Sequence, residues 1–116
     1  MQDFQNLKVW QKAHELALLT YQITADFSRE ELFGLRNTLR KTSVDIPAFI
    51  AEGCSKGSDR EFSAVLGIAV GLNNRLEYYA LVARDLKLLG EEAHKDYAER
   101  IIEIRKMLSG FKQRLV

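Results

Sequence analysis

The sequence predicts an all-α fold, an antiparallel up-down-up-down four-helix bundle. Three observations predict it. Apolar residues recur at three- and four-residue steps through most of the 116 positions, the period of a helix. Proline occurs once, at Pro47, so the chain has few turns and long helices. The breaks between apolar stripes fall at Ser-x-x-Glu capping boxes and at glycines, and such short breaks favour antiparallel neighbours.

The first helix is expected over residues 7–26, with Asn6 placed to cap it. Its stripe is Trp10, Ala13, Ala17, Tyr21 and Thr24, widened by Leu16, Leu19 and Ile23. So broad an apolar surface needs cover on more than one side. Ser28 and Glu31 then form a capping box that opens the second helix. Leu32, Leu35, Leu39, Ser43, Ile46 and Ile50 mark its inner face. Pro47 lies inside that pattern, where it removes a backbone donor and favours a kink. Glu52-Gly53 is the expected end, with Gly53 taking the left-handed conformation.

A second capping box, Ser58 with Glu61, starts the third helix. Phe62, Leu66, Ala69, Asn73, Leu76, Ala80, Ala83 and Leu86 are in register along it, and Gly90 ends it. Gly67 and Gly71 inside this helix each cost about 1 kcal/mol relative to alanine, which points to close approach of another helix. Asn73 lies on the apolar face and, once buried, needs a partner. The fourth helix carries Tyr97, Ile101, Ile104, Leu108, Phe111 and Leu115 at alternating steps of four and three. That 3.5-residue period implies a coiled-coil-like seam.

Composition narrows the function classes. The chain is 47% hydrophobic and 28% charged, ordinary for one globular domain, here spanning residues 1–116. No basic start leads into an apolar run at the N-terminus, and the longest apolar run, residues 64–72, is too short to span a bilayer. A cytoplasmic protein is expected, with no membrane partner. The single cysteine, Cys54, forms no intrachain disulfide and is expected to be an inert loop thiol.

Catalytic and metal signals are weak. Glu91 and His94 have the Glu-x-x-His spacing of bundle di-iron sites, but such a site needs a second copy and two further glutamates. His14 has no second ligand at metal spacing. Neither a phosphate-binding glycine loop nor a nucleophile elbow is present. The reading is therefore a non-enzyme with no cofactor, no metal and no catalytic residue.

Charge distribution says more than the net value of +1. Residues 32–44 contain Arg36, Arg40 and Lys41 and no acid. Residues 104–116 contain Arg105, Lys106, Lys112 and Arg114 and no acid. Arg29 stands two turns before Arg36 on the same stripe. These seven residues, Arg36 to Arg114, are the candidates for holding nucleic-acid phosphates, the sequence-independent source of affinity. The alternative is a solvated face, with the last cluster stabilising its own helix dipole.

Several stretches then carry a resemblance. Phe4-x-x-Leu7-x-Val9-Trp10-Gln11-Lys12-Ala13 opens the chain, and Phe27 with Glu31-Leu32-Phe33-Gly34-Leu35 follows. Leu39-Arg40-Lys41, Ile46-Pro47-x-x-Ile50-Ala51-Glu52-Gly53, Glu61-Phe62, Leu66-x-Ile68-Ala69 and Met107-Leu108 complete the pattern. The chain resembles the bacterial four-helix-bundle family encoded in intervening sequences of large-subunit ribosomal RNA genes. That family includes the accessory variability determinant of diversity-generating retroelements. Trp10, Pro47, Glu52 and Gly53 match its structural signature, and Arg40 and Lys41 its basic pair in the second helix. The chain departs from the pattern at Asp45, where the family has Ser, at Phe49, where it has Asn, and around Gly71-Leu72-Asn73-Asn74. Phe49 is either core or, if exposed, an apolar spot for a partner.

The resemblance implies a ring-like homopentamer and, by analogy with the retroelement members, a basic surface that binds RNA or DNA and a partner reverse transcriptase. The expected function is a non-enzymatic oligomeric interaction module that binds nucleic acid through backbone phosphates. The alternative is a scaffold that docks a protein partner such as a reverse transcriptase, without binding nucleic acid by itself.

Overall fold

The computed structural model describes residues 3–28 and 34–115. A 3-10 turn, Phe4–Asn6, leads into α1 (Lys8–Ile23), α2 (Leu35–Cys54), α3 (Asp59–Asp85) and α4 (Glu91–Arg114). The fold is all-α, as expected. Successive helices pack antiparallel, and α1 closes against α4 along the thinnest seam. Among the described residues the backbones of the diagonal pairs stay apart, while side chains of all four helices share one core. The molecule measures 44 × 23 × 20 Å, a length that α3 alone nearly sets at about 1.5 Å per residue.

The core follows the expected stripes, with one rotation. In α4, Tyr97, Ile101, Ile104, Leu108 and Phe111 are all buried. In α3, every expected inner residue from Phe62 to Ala83 is buried, while Leu86 lies beyond the helix end and is exposed. In α2, Leu39, Ser43, Ile46 and Ile50 are buried, joined by Thr42 and Pro47. Each large aliphatic removed from water in this way contributes about 1.5–3 kcal/mol. In α1 the buried set is Val9, Ala13, Leu16, Ala17 and Thr20, so Tyr21 faces outward, 47% exposed. Small residues at positions 13 and 17 let α1 approach closely, and the helix turns to seat Leu16 and Val9.

Helix ends depart from expectation in physically clear ways. Asn6 does not cap α1: it closes the 3-10 turn, and Leu7 occupies the cap position without a side-chain bond. Ser58 caps α3 as expected, its Oγ accepting from the Glu61 N–H at 3.1 Å. The expected Ser28–Glu31 box, with Arg29, Leu32 and Phe33, involves residues 29–33, outside the described residues.

Gly53 is not a left-handed cap, since no described glycine has positive φ and α2 runs on to Cys54. Its lack of a side chain serves packing. A Cβ at Gly53 would sit 2.6 Å from Cδ1 of Phe62, whose ring is buried against Phe111. The left-handed residue is Lys87, at φ 62°. It ends α3 in a Schellman arrangement: Leu88 N–H bonds the Ala83 carbonyl, and Lys87 N–H that of Arg84. Gly90 instead precedes α4 with ordinary extended geometry.

Gly67 and Gly71 do not receive another helix. Both are exposed, nothing lies within 4 Å of a Cβ at Gly71, and at Gly67 the nearest group is Lys112 Nζ. Asn73 is fully buried, and its Nδ2 donates to the Ile101 carbonyl at 2.9 Å, tying α3 to α4. Phe49 is half-buried against the core.

Candidate nucleic-acid interface

The antiparallel topology separates the two basic segments. Arg36, Arg40 and Lys41 begin α2 at the end where α1 finishes. Lys106, Lys112 and Arg114 end α4 at the opposite end, beside the starts of α1 and α3. A 44 Å molecule thus carries its two basic segments at opposite ends rather than on one continuous face.

At the first end, Arg40 is a structural bolt. Its Nε donates to Thr24 Oγ1 at 2.9 Å and its Nη2 to the Tyr21 carbonyl at 3.1 Å. The guanidinium lies 4.5 Å from the Tyr21 ring centre. Arg40 therefore satisfies a carbonyl left open at the C-terminus of α1 and ties α1 to α2. Lys41 is exposed and pairs with Asp45 at 3.2 Å, an i,i+4 contact contributing about 0.3–0.5 kcal/mol. Such a weak pair leaves the ammonium available to a phosphate. Arg36, half-buried in the first turn of α2, has no carboxylate within 4 Å among the described residues.

At the second end, two candidates are engaged in packing. Arg105 Nη1 pairs with Glu77 at 2.8 Å across the α3–α4 seam. Lys112 Nζ donates to the Ser63 carbonyl at 2.7 Å, and a Cβ at Gly67 would meet it at an ordinary contact distance of 3.5 Å. Lys106 and Arg114 have no acidic partner among the described residues. They line a cleft of about 560 Å³ between the first turn of α1 and the last turns of α4, together with Lys8. Arg114 lies over the Phe111 ring, 5.6 Å from its centre.

The remaining candidates are chemically quiet. Cys54 is the last residue of α2, 4% exposed, and not in a loop. Burial pushes its thiol above the ordinary range, and the Asp3 carboxylate adds to this, so the nucleophilic thiolate is disfavoured. His14 stacks on Trp10 at 4.9 Å, and Phe4 meets Trp10 edge-on, pinning the N-terminal turn to α1. Glu91 and His94 share a shallow cleft at the start of α4 with Glu92 and Glu99. No three His, Cys, Asp or Glu side chains come within metal-binding reach of one another among the described residues. Nor is any described helix long and apolar enough to cross a membrane.

The model of the 23S rRNA-intervening sequence protein family matches residues 5–110, nearly the whole chain. The chain belongs to that family. A solved relative is a protein of unknown function from the S23 ribosomal protein family of Bacteroides thetaiotaomicron. It is 21% identical, covers 90% of this chain and 97% of its own, and superposes with a TM-score of 0.81. At that identity it bears on the fold alone. No curated protein matches the chain.

Within this intervening-sequence protein, the residue that sequence reasoning passed over is Lys8. Its place beside Lys106 and Arg114 depends on how α1 closes on α4, which no local spacing encodes. Gly110 was also legible but unread. Lys106, Gly110 and Arg114 stand at steps of four, one stripe of a helix face.

Proposed function

We propose that this protein is a non-enzymatic, self-associating module that binds nucleic acid, RNA first, through backbone phosphates. The observation that carries the reading is the set of cations, Lys8, Lys106 and Arg114, that have no acidic partner among the described residues at the α1–α4 end, around a cleft to which no described carboxylate contributes. Phosphate contacts of this kind supply affinity and orientation without reading bases. Arg36 and Lys41 form the second contact region, at the opposite end. Arg40, Arg105 and Lys112 hold helices together and act mainly by positioning their neighbours. Membership of a family named for ribosomal RNA intervening sequences makes a structured ribosomal RNA fragment the natural first probe.

Self-association, as the homopentamer expected from the resemblance, draws support from the outer face of α3. Ile68 is 48% and Tyr78 61% exposed there, beside the uncovered Gly67 and Gly71. A ring would repeat the basic segments several times and raise avidity without new contacts.

The test uses two double variants, Lys106→Gln with Arg114→Gln, and Arg36→Gln with Lys41→Gln, leaving Arg40 in place because it bolts α1 to α2. Each pair, folded and assembled like wild type by sedimentation, is expected to weaken RNA binding and to lower the salt slope by about 1 per residue removed. Wild-type affinity in both pairs contradicts the reading, and the search then turns to a protein partner such as a reverse transcriptase.

A further inference from the structure

The cleft between α1 and α4 has features that backbone-phosphate binding does not require. Its volume, about 560 Å³, falls among those of small-ligand sites, about 300–1,000 Å³. Its walls combine the cations Lys8, Lys106 and Arg114 with the thioether of Met107 and the ring of Phe111. Two further clefts along α4 carry Glu91, Glu92, Glu99 and Glu103, one of them sharing Lys106 and Met107 with this cleft, so an anion is directed to the side without carboxylates, toward Lys8 and Arg114. Gly110 lies in its wall, with nothing within 4 Å of where a Cβ would be. The interior of a helix disfavours glycine relative to alanine, and no packing neighbour explains its presence. A side chain longer than alanine's at this position would extend along the cleft wall.

From this geometry we propose that the α1–α4 cleft binds one nucleoside phosphate unit, its base against Met107 and Arg114 and its phosphate held by Lys8 and Lys106. Two kinds of partner line the cleft that favour a flat π-system. Thioether sulfur packs on aromatic rings, and a guanidinium plane, here lying over Phe111, stacks with bases. A purely aliphatic anion would use neither. The polar cleft at the start of α2, between Tyr21, Asn37 and Lys41, differs because its Arg40 is already bonded to Thr24 and Tyr21. The unit has two sources, a free mononucleotide or an unpaired nucleotide of a strand. The strand source rests on the proposed function, whereas the free nucleotide does not.

The experiment titrates the isotope-labelled protein with AMP, a short single-stranded oligoadenylate and a blunt RNA duplex, following the Gly110 and Lys8 amides by NMR. AMP is expected to move both amides. Gly110→Leu, which fills the cleft from an uncrowded position, is expected to weaken AMP binding at least tenfold with the fold intact. Gly110→Ala leaves the cleft open and should bind as wild type does. Oligoadenylate binding tighter than AMP, and competing with it, identifies the strand as the source. AMP binding without such competition identifies the free nucleotide. AMP shifts that depend on Gly110, in a protein without affinity for any RNA, support the site and overturn the phosphate-binding module. Salt-dependent duplex binding that survives Gly110→Leu, with no response of Gly110 to AMP, overturns the site and leaves the module standing.

Discussion

Tyr97 places a fully buried phenol in the core, and its one polar partner among the described residues, Thr20, decides what that costs. The Thr20 hydroxyl gives its one proton to the Leu16 carbonyl at 2.7 Å, so the Tyr97 O–H donates to Thr20 Oγ1 at 2.6 Å. Burial pushes the phenol above its ordinary range, and the bond it donates to Thr20 is available only to the protonated form. Tyr97→Phe keeps the ring and leaves Thr20 bonded to Leu16, so the expected loss is about 0.5–1.5 kcal/mol by urea titration near neutral pH. The sign of the pH effect follows from the raised value. The unfolded phenol ionises near pH 10 while the folded one stays protonated, so the neutral ring's contribution is full below about pH 10 and falls above it. Wild type should lose stability between about pH 9 and 11 more steeply than Tyr97→Phe. Parallel curves for the two proteins would contradict the buried-phenol account.

At the scale of helices, the interior of each element was legible and its ends were not. Periodicity reports which residues share a face, so the stripes of α3 and α4 match the buried sets of those helices closely. A cap depends on a few dihedral angles and on what the neighbouring helix brings near. Glycine was read as left-handed at Gly53 and as a contact point at Gly71, whereas packing assigns those roles differently. Gly53 is the crowded position, with Phe62 already at the site of a Cβ, and Gly71 is open. Gly53→Ala should therefore cost about 1–3 kcal/mol through overpacking. Gly71→Ala should gain up to about 1 kcal/mol from helix propensity. Thermal melts of the two single variants check both signs. A stabilising Gly53→Ala would contradict the role assigned to Phe62, provided the protein still folds to the same helix content.

For the whole molecule, the site was legible as a list of cations and not as a place. Sequence reading named Arg36, Arg40, Lys41, Arg105, Lys106, Lys112 and Arg114 by local absence of acid. Tertiary structure then divides them between two ends and engages Arg40, Arg105 and Lys112 in bonds across helix seams. Those bonds join residues as far as 49 positions apart in the chain, beyond any spacing rule. Lys8 entered for the same reason in reverse, since only the closing of α1 on α4 brings it to the cleft. Net charge of +1 describes none of this, because acids elsewhere in the chain, Glu91 and Glu92 at the start of α4 and Asp59 and Glu61 at the start of α3 among them, offset the basic segments.

The central claim, direct binding of RNA phosphates, is tested most directly by the affinity for a structured ribosomal RNA fragment, read by fluorescence anisotropy over a series of salt concentrations. The account predicts that log affinity falls linearly with log salt, at about 0.7–0.9 per phosphate neutralised, with a slope equivalent to several contacts. No binding by the folded protein even at low salt, or an affinity indifferent to salt, would contradict it.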